Sequence, residues 1–155
     1  MTPAIGSRDE HAEHRNLIDV ITAGRTLPDG ADTWAIKSVR PDLRTYQGYR
    51  WPWPGEWAEA ADVDEAHVGA CPSRPGDGLC VAWTWAGMAS GGIPARTLLL
   101  VAYAQVDVLG RDDDAGKARC RRVHVIDVID GERLLREDGN GANLRGANLR
   151  GADLY

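Results

Sequence analysis

The chain has 155 residues and a formal net charge of −5, which suits one domain with a modest core and gives no general basic face for nucleic acid. No run reaches the roughly 20 apolar residues that cross a bilayer, and the opening MTPAIGSRDEHAEHR lacks the apolar centre of a secretion signal. A cytoplasmic protein is expected, or one carried in a particle assembled there.

Residues 9–24 read as a helix, with Asp9 or Ser7 as cap, Leu17, Ile18 and Ile21 as a narrow apolar stripe, and Gly24 as its stop. Residues 27–32, LPDGAD, make a turn. Thr33–Val39 alternates as a strand, which Arg40 and Pro41 end. Residues 46–57 are dense in aromatics and prolines, and Pro52 and Pro54 exclude a central strand. An extended segment is expected there, with Trp51, Trp53 and Trp57 laid over the body. Residues 58–69 are acidic and fit a short helix or a loop, and residues 71–79 a loop.

Residues 80–85 read as a strand, with Val81, Trp83 and Trp85 on one face. Residues 86–96 suggest a small-residue helical turn and a Gly-Gly loop. The continuous apolar run in residues 97–106 implies a strand buried on both faces. Residues 111–116 form a charged turn, and residues 119–129 a long strand. These two strands are expected to pair as a hairpin around that turn. Residues 131–137 suggest a helical turn, with Leu134 and Leu135 covering the open end of a C-terminal coil. The expected class is α+β: a small, mostly antiparallel sheet with one or two short helices. An N-terminal helix and linker (residues 1–32), a body (33–137) and a tail (138–155) divide the chain.

The histidines and cysteines give one candidate metal set: His67, Cys71, Cys80, Cys120 and His124. His67 and Cys71 are four apart, as are Cys120 and His124, and positions four apart on a strand face one side. Zinc accepts such mixed ligands. No CxxC pair is present, so buried thiols and surface histidines are the plainer reading. A small zinc-dependent or cysteine-based enzyme is the alternative, with Cys71 as nucleophile and His67 or His124 as its base. Asp112, Asp113 and Asp114 lack the spacing of a calcium loop. No catalytic residue and no cofactor is assigned. Trp51, Trp53 and Trp57 offer the large, stiff contact area of a binding patch, unless they cover a core that has no Phe.

The tail carries the clearest pattern. It reads Ala142-Asn143-Leu144-Arg145-Gly146, then Ala147-Asn148-Leu149-Arg150-Gly151, then Ala152-Asp153-Leu154-Tyr155. Repeats of fixed period mark stacked architectures. This A-[ND]-L-x-G run resembles the pentapeptide-repeat family, whose chains wind into a right-handed, four-sided β-helix. The resemblance implies that Leu144, Leu149 and Leu154 point inward with the alanines two positions before them. Three repeats make only part of one coil, so a stub this short needs another surface to stack on. The upstream body, with CPSRPGDGLC, GGIPAR and VHVIDV, looks similar to an uncharacterised domain that precedes short pentapeptide tails in actinobacterial and phage proteins.

These residues imply a non-catalytic structural or interaction protein. Leu144, Leu149, Leu154 and the tryptophans would dock copies of the chain or a protein scaffold, giving a homo-oligomer or part of a larger assembly. A phage origin would make it a virion component such as a capsid decoration protein. Some long members of the family bind gyrase as DNA mimics, but three repeats cannot build that rod. No nucleic acid or membrane partner is expected.

Overall fold

A computed structural model describes residues 18–45, 48–89, 93 and 96–137. The whole tail from residue 138, with Leu144, Leu149 and Leu154, lies outside them, as does most of the proposed first helix. The fold of the described residues is α+β. Seven strands form one antiparallel sheet: β1 (Thr33–Val39), β2 (Trp57–Glu59), β3 (Leu79–Ala82), β4 (Thr97–Tyr103), β5 (Val108–Asp112), β6 (Lys117–Cys120) and β7 (Arg122–Asp130). Their order is β2-β7-β4-β1-β3-β6-β5. Three short helices accompany it: α1 (residues 18–22), α2 (Trp85–Ala89) and α3 (Gly131–Glu137).

β4 is the centre of the core. Leu98, Leu99, Leu100, Val101 and Ala102 are each 0% exposed, as a continuous apolar run requires. Leu99, Val101 and Tyr103 join Ala35, Val39, Val81, Val123 and Val125 on one side of the sheet. Leu98 and Leu100 join Ile36 and Ala82 on the other, where Ile21 of α1, Met88 of α2 and Leu134 of α3 cover them. Each fully buried large side chain contributes roughly 1.5–3 kcal/mol relative to exposure. Leu134 therefore packs on the sheet.

β1 keeps the bounds that its alternation suggests, and pairs with β4 from Thr33 opposite Tyr103 to Val39 opposite Thr97. The strand expected at residues 80–85 begins and ends earlier: Trp85 starts α2, and Thr84 Oγ1 accepts from the Gly87 amide at 2.9 Å in the manner of a helix cap. The largest correction concerns residues 104–122. β4 does pair with β7, Thr97 opposite Asp130, but the acidic turn joins two other strands, β5 and β6. The run expected as one long strand breaks at Arg121, between β6 and β7. Alternation also fails along β7. The register with β4 slips between Leu100 and Val101, leaving Ile126 as an extra residue. Val123 and Val125 face one core, while Ile126 and Ile129 pack on the other.

The long connection over residues 60–78 is tied to the sheet by one buried ion pair. Arg119 on β6 is fully buried and donates to Asp77 Oδ1 at 2.6 Å, to the His67 carbonyl at 2.6 Å and to the Gly69 carbonyl at 2.9 Å. Asp77 is equally buried and accepts from the Asp64 amide, the Ser73 amide and the Ser73 hydroxyl at 2.7, 2.9 and 2.7 Å. Burial alone would raise its pKa. The amides, the hydroxyl and Arg119 outweigh burial and hold the carboxyl far below the usual range. Gly78 has φ +96°, and a Cβ there would strike the Arg119 side chain, so only glycine lets the loop pass.

Candidate functional site

β1 and β3 share a single registered pair, Ile36 opposite Ala82. Beside it, Lys37 and Ser38 on β1 and Leu79, Cys80 and Val81 on β3 line a cavity of about 540 Å³. Tyr49 and Trp51 form a further part of its wall, Met88 and Ile93 another, and Cys71, Pro72 and Pro75 of the long connection a third. Glu59 and Asp62 also border it. The size falls in the range of small-molecule sites, and the lining is mainly apolar.

Two polar groups stand out around that lining, one of them sealed from the cavity. Lys37 is a half-buried lysine on which Cys80, Cys71 and Lys117 act as charges, and it forms no ion pair among the described residues. Burial pulls its pKa below the ordinary lysine value, and Lys117 adds to that; charge on Cys80 and Cys71 opposes it. Trp51 is 1% exposed, and its indole N–H has no hydrogen-bond partner among the described residues. A buried donor left unmatched is costly and unusual in a native protein. Trp51 is held in place through Leu43, whose carbonyl accepts the Trp51 amide at 2.9 Å. Leu43 adopts φ 67°, a left-handed conformation uncommon for leucine, while its side chain is buried in the core.

The thiols gather at the same cavity. Cys71 is exposed, Cys80 half-buried, and they are near enough for charge on Cys71 to act on Cys80. The Lys117 ammonium lies 3.2 Å from Cys71 Sγ. Burial pushes the Cys80 thiol up, and nearby Lys37 pulls the other way. Cys120 is different in kind: it is buried in the core, and burial pushes its thiol up to about 12.

The five candidate metal ligands are not brought together. His67 turns its ring to the Cys71 carbonyl, at 2.7 Å, and not to the thiol. Cys120 and His124 fall on different strands because the chain breaks at Arg121, so their spacing does not place them on one face. His124 stacks edge-on against Trp57, with ring centroids 4.8 Å apart. Among the described residues no group of three or more His, Cys, Asp or Glu side chains is arranged to hold a metal ion.

The tryptophan segment also divides. Trp51 belongs to the core, Trp53 is 56% exposed under the Arg50 guanidinium, and Trp57 is half-buried with the Arg122 guanidinium 3.6 Å from its ring centroid. Sequence reasoning missed Lys37 and Lys117 altogether. A lysine inside the otherwise apolar alternation of β1 was the available signal for the first.

No family model, curated protein or solved structure matches this chain. The likeness of residues 142–155 to pentapeptide repeats rests on those residues alone. Among the described residues, no helix is long and apolar enough to cross a membrane.

Proposed function

We propose that this chain is a non-catalytic binding protein whose cavity takes a small apolar carboxylate. The observation that carries this reading is Lys37, a lysine set in a mainly apolar cavity and in no ion pair with the carboxylates, Glu59 and Asp62, that border it. An anion there would gain a charge-assisted hydrogen bond where water is scarce. Ile36, Leu79, Val81 and Met88 suit an alkyl or aryl body. The test is calorimetry with octanoate and phenylbutyrate against octanol and octylamine. The two acids are expected to bind and the alcohol and amine to bind at least tenfold more weakly. Equal binding of alcohol and acid, or no binding of either acid, refutes the reading.

The C-terminal repeats supply a second role, assembly. We take residues 138–155 as a short pentapeptide β-helix stub that stacks on a second copy or on a scaffold, in a cytoplasmic or virion setting. The supporting observation is the run of three A-[ND]-L repeats, too short to shelter its own leucines. Removing residues 138–155 is expected to lower the mass measured by light scattering to that of a monomer. An unchanged mass sinks the self-association reading and leaves the cavity reading untouched.

A further inference from the structure

Cys71 and Cys80 lie eight residues of connection apart in sequence, yet both border one cavity, near enough for charge on Cys71 to act on Cys80. Neither is in a disulfide. Cys71 is exposed and so open to a solution oxidant, and Cys80 is half-buried. The Lys117 ammonium, 3.2 Å from Cys71 Sγ, sits where it stabilises negative charge on that sulfur. Lys117 is placed by β6, where it pairs with Ala82 of β3, two residues beyond Cys80. Lys37 brings a second ammonium to the neighbourhood of both sulfurs. An accessible thiol, a second thiol bordering the same cavity and a cation beside the first are the parts of a thiol–disulfide exchange site. Cys120, sealed in the core, has no access to the reaction.

We propose that Cys71 and Cys80 form a reversible redox pair, with Cys71 as the attacking thiol and Cys80 as the resolving one, using a low-molecular-weight disulfide as oxidant. Cys71 gives its proton to solvent, and its thiolate attacks one sulfur of the small disulfide. That S–S bond breaks, one small thiolate leaves and takes a proton from water, and a mixed disulfide remains on Cys71. Cys80 then gives its proton to solvent, its thiolate attacks the Cys71 sulfur, the mixed S–S bond breaks, and the second small thiolate departs and takes a proton from water. Two protein thiols are oxidised by two electrons, and the small disulfide is reduced to two thiols. The product is a Cys71–Cys80 disulfide that staples the long connection to β3 at the cavity border. The proposal stands independently of what the cavity binds.

The experiment uses the full chain in mixtures of oxidised and reduced glutathione, followed by alkylation and peptide mapping. The expected result is loss of two hydrogens, a Cys71–Cys80 crosslinked peptide, reversal by dithiothreitol, and Cys120 alkylated only after unfolding. Cys80→Ser is expected to stall as a glutathione adduct on Cys71. Lys117→Met is expected to slow adduct formation several-fold, and Lys117→Arg to restore most of the rate. No loss of two hydrogens, a crosslink that includes Cys120, or a wild-type rate in Lys117→Met overturns the proposal. Circular dichroism of each variant separates a change in chemistry from a failure to fold.

Discussion

Arg119→Met is expected to lower the free energy of unfolding by about 3–5 kcal/mol, the largest effect of any single substitution outside the central strand. The reason is what it leaves behind. Asp77 is 0% exposed, and without the guanidinium its charge keeps the Asp64 and Ser73 donors, with His67 Nε2 4.0 Å away. The His67 and Gly69 carbonyls lose their donor at the same time. Methionine fills much of the space, so the loss reports charge and hydrogen bonding more than a cavity. Adding Asp77→Asn to Arg119→Met is expected to recover part of the loss, because the stranded charge goes. Urea unfolding of the two variants measures both effects.

The same pair sets a pH dependence. The Asp77 carboxyl is held far below its unfolded value of about 3.9. Its contribution is therefore complete above that value and is lost as pH falls below it. Wild-type stability should drop steeply in acid, and Asp77→Asn should flatten that part of the profile. An acid limb of unchanged slope in Asp77→Asn would show that other carboxylates carry it.

Lys37→Met is expected to do two things at once. It should weaken carboxylate binding by roughly 10- to 100-fold, the worth of a hydrogen bond to a charged group. It should also leave the empty protein as stable as wild type or more so. Burial pulls the Lys37 pKa down, so the folded state resists the proton that the unfolded chain accepts. Wild-type stability therefore rises with pH between the folded and the unfolded lysine values, and the penalty is fully present below that window. Methionine has a similar stem and no charge, so it removes the penalty. A carboxylate in the cavity favours the ammonium, so affinity should fall as pH rises through the Lys37 value. A variant that binds as wild type does, or loses stability by more than about 1 kcal/mol, would contradict the role given to this lysine.

Much of the fold was legible because burial writes itself into the sequence. The unbroken apolar run of β4 announced a strand covered on both faces, and Leu98 to Ala102 are all sealed. The alternation of Thr33–Val39 announced β1, residue for residue. Failures came where local pattern carries no information about partners. Residues 108–112 look like the flank of a turn, yet they form β5 because β6 offers an edge to pair with. The bulge at Ile126 reverses the facing of β7, which strict alternation cannot foresee. The break at Arg121 likewise separated Cys120 from His124. The cavity was illegible for a related reason. Its lining comes from stretches as distant as Lys37, Trp51, Cys71, Val81 and Met88, which only the sheet order brings together. The pattern of cysteines drew attention to metal, whereas the structure pairs two of them with a lysine that no spacing rule singles out.

The Trp51 indole N–H, behind the cavity wall, is expected to give its own proton–nitrogen resonance, assignable by its absence in Trp51→Phe. Titrating octanoate into labelled protein is expected to move that resonance downfield, together with the amides of residues 36–38 and 79–82. The same titration of Lys37→Met should leave them in place at equal ligand concentration. Shifts confined to other surfaces, or an indole resonance indifferent to octanoate while calorimetry reports binding, would contradict a carboxylate site between β1 and β3.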